Sequence, residues 1–216
     1  MNRPLCRRFV ARKRSKDEAV EEIPNRAEGL RSQCRVDAVH AYATSYIFQR
    51  RARTLKKRVQ WITYIGFAVP MIVGLIVSAY GHFKSLPIII AVAAAIGIGQ
   101  ATISLWAIVG GWVDGATYAA TSAAANDLFA ARYAELASNP PADIRSFWEQ
   151  YQVLKTEYRA RTDQDFQQGV REAEKHMGMR AALRKYQKAC AGCGQVPVDM
   201  KATKCGVCGD FRYRIR

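Results

Sequence analysis

Two neighbouring stretches decide how this chain is read: Val59–Tyr80, VQWITYIGFAVPMIVGLIVSAY, and Leu86–Gly110, LPIIIAVAAAIGIGQATISLWAIVG. They hold 22 and 25 residues, and neither contains an Asp, Glu, Lys or Arg. At about 1.5 Å per residue the first reaches about 33 Å as a helix, slightly more than the hydrocarbon core of a bilayer. Gly81-His82-Phe83-Lys84-Ser85 separates them, which leaves room for a hairpin turn. Pro87 falls in the first turn of the second stretch, where a missing N–H costs no helical hydrogen bond. Soluble helices rarely lack a polar face over two consecutive segments of this length, so both are expected to be transmembrane helices.

Outward from the pair, charge sets the orientation. Arg50, Arg51, Arg53, Lys56, Lys57 and Arg58 put six cations into nine positions before the first span, whereas the turn offers only Lys84 and His82. The positive-inside rule makes the N-terminal side cytoplasmic, and two crossings return the C-terminus to it. These six residues form the expected membrane-surface basic cluster. The net charge of +15 is uneven: residues 1–58 hold 16 Lys/Arg against 6 Asp/Glu, and residues 111–216 hold 16 against 12. Such a basic arm suits an anionic surface, and beside a membrane span lipid headgroups are favoured over nucleic acid. Arg3, Arg7 and Arg8 are followed by no apolar run before the first span, so no secretory signal is expected.

The remaining segments read as helices with breaks. Residues 1–24 are a charged arm expected to be disordered and to close at Ile23-Pro24. Asn25-Arg26-Ala27-Glu28 resembles a capping box that opens an amphipathic helix over 25–58. Its seam is Leu30, Cys34, Ala38, Ala41, Ser45, Phe48, Ala52, Leu55 and Val59, three or four apart, and it runs into the span at 59–80. After the second span, 86–110, residues 112–188 are expected to be cytoplasmic helices. Trp112–Ser138 is alanine-rich and ends at Asn139-Pro140-Pro141. A second helix starts near Asp143 with the seam Ile144, Phe147, Tyr151, Leu154 and Tyr158. Helical pattern resumes through Phe166, Val170 and Met177, with Gly169 and Gly178 as candidate breaks.

Residues 189–216 carry the strongest motif. Cys190 and Cys193, then Cys205 and Cys208, make two C-x2-C pairs with 11 residues between them. Each pair ends in glycine, which supplies the positive φ that a zinc-knuckle turn demands. Four thiolates suit a tetrahedral Zn2+, and four protein ligands leave no open position, so the zinc is expected to be structural and not catalytic. A module this small draws its folding free energy from the metal. Thiolates also need a reducing compartment, which agrees with a cytoplasmic C-terminus. Phe211–Arg216 alternates as a half-buried strand does, completing a small zinc ribbon. Residues 180–216 hold nine Lys/Arg against Asp199 and Asp210, so the ribbon is a candidate for nucleic-acid contact through phosphates. Cys6 and Cys34 have no assigned chemistry.

Enzyme chemistry is not expected. His40, His82 and His176 are isolated in sequence, no Ser/His/Asp or Cys/His set suggests itself, and Gly97-Ile98-Gly99 lies inside an apolar span. The spans do carry small residues that let helices approach: Thr63, Gly66, Pro70, Gly74 and Ser78 on the first, and Ala93, Gly97, Gln100, Ser104 and Gly111 on the second. Packing of the hairpin on itself accounts for most of them. A sharper expectation is that Ala93, Gly97, Gln100 and Ser104 line the axis of a homo-oligomeric pore, since Gln100 is the amide placed deep in the spans.

On Arg50–Arg58, the two spans, Ala130–Ala137 and Phe147–Arg161, the chain resembles the SLATT proteins, two-transmembrane effectors of bacterial conflict systems. Cys190, Cys193, Cys205 and Cys208 are similar to the mobile-element-associated family named for its C-x2-C-x11-C-x2-C run. The first resemblance implies a pore-forming effector in a bacterial inner membrane, fired by an upstream sensor protein or nucleotide signal in antiviral or mobile-element defence. The expected fold is therefore an all-α membrane protein: a two-transmembrane helical hairpin, long cytoplasmic helices and a C-terminal zinc ribbon. The alternative function is a non-conducting membrane adaptor whose ribbon recruits nucleic acid or a protein partner.

Overall fold

The computed structural model describes residues 16–80 and 86–211, which form five helices and, among the described residues, no strand. The expected turn at 81–85, residues 1–15 of the expected arm with Cys6, and the residues from Arg212 onward lie outside this range, and with them most of the expected strand.

Helix α1 is one continuous helix, Lys16–Tyr80, of 65 residues, about 97 Å long at 1.5 Å per residue. The expectation of a disordered arm to residue 24 and a helix beginning near Asn25 is corrected over residues 16–24, which belong to α1. Lys16, Glu18, Ala19, Glu21 and Glu22 favour helix, and together with the rigid helix that follows they offset the single hydrogen bond Pro24 removes.

Helix α2 (Leu86–Val109) and helix α3 (Trp112–Ser138) run back along α1 one after the other. Gly66 faces Gln100, Gly115 faces Leu55, and the Ser45 hydroxyl donates to the Ala123 carbonyl at 2.9 Å. These pairs keep one antiparallel register through the break at Gly110–Gly111. The break is made by Gly111, whose φ of 60° is left-handed, a conformation that costs glycine little. Trp112 closes over Gly110 and accepts the Arg58 guanidinium at 5.6 Å from its ring centre.

Helix α4 (Ile144–Phe166) starts at Asp143, whose carboxylate caps the Ser146 N–H at 3.0 Å. It descends beside α3 toward the apolar end. Gly169, with φ 57°, turns the chain into helix α5 (Glu172–Lys185), which climbs along α1. Gly178 is not a break. A Cβ there would stand 2.5 Å from the Ala43 carbonyl, so this glycine lets α5 touch the α1 backbone.

Three apolar clusters sit along α1. Leu30, Cys34 and Ala38 pack with Tyr133, Phe147, Tyr151 and Leu154; Val39 and Ala43 with Ala182, Leu183, Cys190 and Cys208; Phe48 with Ala119 and Ala123. Burial raises the Cys34 thiol to about 11, so the spare cysteine is an inert core residue. A polar network closes the α3–α4 contact: the buried Asp165 carboxylate accepts from Tyr118 Oη at 2.8 Å, Ser122 Oγ at 2.6 Å and Asn126 Nδ2 at 2.6 Å.

Beyond Arg58 the packing changes. Val59, Ile62, Gly66, Val69, Val73 and Ile76 form a half-buried seam against α2, while the other faces meet nothing. Phe67 is 73% exposed, Trp106 70% and Val109 77%. Among the described residues, two helices are long and apolar enough to cross a membrane, and no residue of the apolar window of either is buried inside the protein.

Candidate metal centre

Helix α5 ends at Lys185, and Gln187, at φ 50°, turns the chain toward the cysteines. In the first knuckle the Gly194 N–H donates to the Cys190 carbonyl at 2.8 Å, and the Gly192 N–H points at Cys190 Sγ at 3.4 Å. The second repeats the pattern: Gly209 N–H to the Cys205 carbonyl at 2.9 Å, Val207 N–H to Cys205 Sγ at 3.5 Å. The two glycines after the pairs serve different ends. Gly194 has φ 70° as expected. The expectation of positive φ at Gly209 is corrected: a Cβ there would run into Thr203 Oγ1, so the requirement is close approach of a neighbouring loop.

The knuckles bring all four sulfurs within 4.8 Å of one another, with Cys190–Cys205 and Cys193–Cys208 each at 3.9 Å. A tetrahedron with metal–sulfur bonds near 2.3 Å has edges of about 3.8 Å. The sulfurs therefore surround a space of the right size for one tetrahedral ion, and the all-thiolate donor set fits zinc. Backbone N–H groups of Cys208 and Val207 draw the Cys205 thiol down to about 6, so it is poised as a thiolate. Burial pushes the Cys208 thiol up to about 12, and a bound cation would supply the charge that burial opposes.

Turns carry the ligands, as the knuckle reading expects, and the strand expected over Phe211–Arg216 lies, apart from Phe211, outside the described residues. The module is not a free appendage. Cys190 and Cys208 belong to the core cluster of Val39, Ala43, Ala182 and Leu183. Arg180, buried on α5, donates from Nε to the Asp199 carbonyl at 2.8 Å and from Nη2 to its carboxylate at 3.0 Å. Its Nη1 lies 3.5 Å from the Cys208 carbonyl and 3.9 Å from Cys208 Sγ. His176 Nδ1 sits 3.0 Å from the Asp210 carbonyl. Sequence reasoning missed Arg180 and His176. The only available signal was their four-residue spacing on one helix face, which is common on any helix.

The C-x2-C pairs and the 11 residues between them thus close one four-sulfur site. A family model described as the mobilome CxxCx(11)CxxC protein matches residues 31–211. The chain belongs to that family. No curated protein and no solved structure matches it. The mobilome match extends from the start of the buried seam of α1 to the last described residue. It includes the apolar helices as well as the cysteines. The SLATT resemblance rests on architecture alone.

The other expected sites separate. Ala93, Gln100 and Ser104 are half-buried and Gly97 is exposed. The Gln100 amide nitrogen is turned onto α1, only 2.7 Å from where a Gly66 Cβ would be. Pro70, four residues on, has no N–H, so the Gly66 carbonyl lacks its helical donor. Gln100 therefore has a place inside its own hairpin. In the basic cluster, Arg51 is taken up by the protein, donating to Glu174, Gln168 and Gly169. Arg50 Nη1 meets Met177 Sδ at 3.1 Å, and Arg58 covers Trp112. Arg53, Lys56 and Lys57 stay exposed.

Proposed function

We propose that this mobilome-family protein is a two-span membrane adaptor. Its apolar hairpin anchors a metal-clasped helical domain at the inner surface of a bacterial membrane, and the outward side of the metal module receives a partner encoded with it. The observation that carries the reading is a contrast along α1. Its polar half packs a buried seam against α3, α4, α5 and the cysteine module, while its apolar half has α2 on one side and nothing on the others. Bare apolar surface of that extent is tolerated only in lipid or at an interface. Thiolate ligands favour the reducing side for this domain, in line with the cations before the first span. Lys201 and Lys204 and the 84%-exposed Val198 face away from the core and offer a surface to protein or nucleic acid.

A homo-oligomeric pore is the second reading. It is favoured by Gly74 and Gly97, where an added Cβ would meet no neighbour within 4 Å, because small exposed residues let further helices approach. Ion flux from vesicles reconstituted with the full chain separates the two. An adaptor leaves the vesicles tight at every protein density. Flux that rises steeply with density would replace the adaptor by the pore.

A further inference from the structure

The inference here rests on the membrane reading above and identifies a lipid that the hairpin would hold. One face of α1 is left uncovered from the polar domain into the apolar segment. It carries two shallow concavities of about 270 and 370 Å³ that share Lys57 as a wall. Tyr46, Gln49 and Arg50 open the upper concavity; reading down from them, Arg53 and Thr54 come next, then Lys57, then Gln60 and Trp61, and finally Tyr64. Cations thus give way to an amide and then to aromatic rings over 11 helical positions, about 16 Å. That is the order in which a phospholipid presents its phosphate, its glycerol esters and the start of its chains along the membrane normal.

The charge on the face is unopposed. No carboxylate occurs in the sequence between Asp37 and Asp114, and neither Arg53 nor Lys57 has an ion pair among the described residues. Arg53 does donate to Gln49 at 3.2 Å, which holds its guanidinium against the helix in the concavity that Lys57 also lines. Of the other cations of the cluster, Arg51 and Arg58 are engaged with Glu174 and Trp112, and Arg50 lines the upper concavity while meeting Met177 Sδ. Trp61 and Tyr64 stand edge to face at 6.1 Å, both well exposed. Tryptophan and tyrosine so placed favour the headgroup level.

We propose that this face of α1 is a binding site for one anionic diacyl phospholipid, its phosphate held by Arg53 and Lys57 and its upper chains lying on Trp61 and Tyr64. The test uses the full chain in detergent. Phosphatidylglycerol and phosphatidylcholine of the same chain lengths are titrated in, and retained lipid is counted by native mass spectrometry. One phosphatidylglycerol is retained in preference to phosphatidylcholine, and the double variant Arg53→Gln/Lys57→Gln loses about tenfold or more in affinity. Lys56→Gln removes the same charge at the same depth but lines neither concavity, and it retains the lipid. Equal retention of both lipids, or equal loss in Lys56→Gln, overturns the site. So does binding of a DNA oligonucleotide that only the double variant abolishes, which would give the face to nucleic acid. Flotation with vesicles separates this outcome from the parent reading. A chain that floats with both lipids without preference loses only the site, and one that floats with neither loses the membrane itself.

Discussion

Arg51 of α1 grips Glu174 of α5 with two nitrogens, at 2.8 and 2.7 Å, while donating at 3.0 Å to the carbonyls of Gln168 and Gly169 in the turn between α4 and α5. Glu174 in turn accepts from the Arg171 N–H at 3.0 Å and caps its own helix. One guanidinium thus ties the α4–α5 turn to α1, eight residues before the apolar segment begins at Val59.

Arg51→Gln should destabilise the polar domain by about 2 kcal/mol, the range for losing charge-assisted hydrogen bonds to a partly buried partner. The pH dependence identifies the cause. Burial alone would raise the Glu174 carboxyl, but the Arg51 guanidinium and the Arg171 N–H outweigh it and hold it below its usual 4.5. A lowered folded value means the contribution is present above about 4.5 and is lost as pH falls through the folded value. Thermal unfolding in detergent from pH 7 to 3 should show an acid decline that is shallower in Arg51→Gln. Equal slopes in both proteins would refute the clasp.

The metal centre should bind one zinc per chain, and its removal should loosen more than the module. Cys190 and Cys208 are part of the cluster that seats α5 on α1. Cys208→Ser or a strong chelator should therefore raise hydrogen exchange in α5 and in Val39–Ala43, leaving the Leu30–Tyr151 cluster protected. Arg180→Gln keeps four thiolates but removes a positive charge 3.9 Å from Cys208 Sγ. Zinc affinity should fall about tenfold, as for other groups that support metal ligands, read by competition with a chromophoric chelator.

The seam of α1 was legible because its period matches one helix face: Leu30, Cys34, Ala38, Ala41 and Phe48 are buried, as the three-and-four spacing implies. The cysteine quartet was legible because thiolate chemistry leaves few alternatives at that spacing. Arg51 was not. Six cations beside an apolar run read alike in sequence, and only the fold decides which one finds a carboxylate 123 residues away. Gly178 misled for a related reason. A glycine that breaks a helix and one that admits a second helix look the same until the neighbour is in place. Pro24 misled in the opposite sense, since a helix stabilised elsewhere absorbs the lost hydrogen bond.

Gly178 and Gly66 are both crowded, by different kinds of atom, and alanine at each should show it. At Gly178 the obstacle is the Ala43 carbonyl at 2.5 Å, which cannot move without shifting α1. Gly178→Ala should cost about 1–3 kcal/mol despite alanine's better helix propensity. At Gly66 the obstacle is the end of the Gln100 side chain, which can swing aside. Gly66→Ala should lie within about 1 kcal/mol of the parent. Similar losses at both positions would show that the packing of α5 on α1 is not as drawn.

Gln100→Leu tests whether the half-buried amide serves the hairpin or an oligomer axis. Opposite it, the Gly66 carbonyl has no helical donor because residue 70 is proline. Leucine, branched at Cγ, cannot lie as closely on Gly66 and should weaken the hairpin by about 1 kcal/mol, the scale of single contacts between membrane helices, measured by steric trapping in micelles. Unchanged hairpin stability together with an altered oligomer distribution would move Gln100 to an interface between copies.

The Asp165 network makes a prediction at alkaline pH. Burial first, and the hydrogen bond to Asp165 second, raise the Tyr118 hydroxyl from 10.0 to about 12. A raised folded value means the stabilising contribution is complete below about 10 and disappears as pH climbs through about 12. Asp165→Asn removes the carboxylate charge and faces the donors Ser122 Oγ and Asn126 Nδ2, each 2.6 Å from an Asp165 oxygen, with a side chain that can accept at only one position. The fold should lose about 1–3 kcal/mol at neutral pH. The Tyr118 value should drop part of the way toward 10 and stop short of it, because burial remains. Carbon-13 chemical shifts of labelled tyrosine follow both effects in one titration. A Tyr118 midpoint unmoved by the substitution would mean that the carboxylate and the phenol do not share a hydrogen bond.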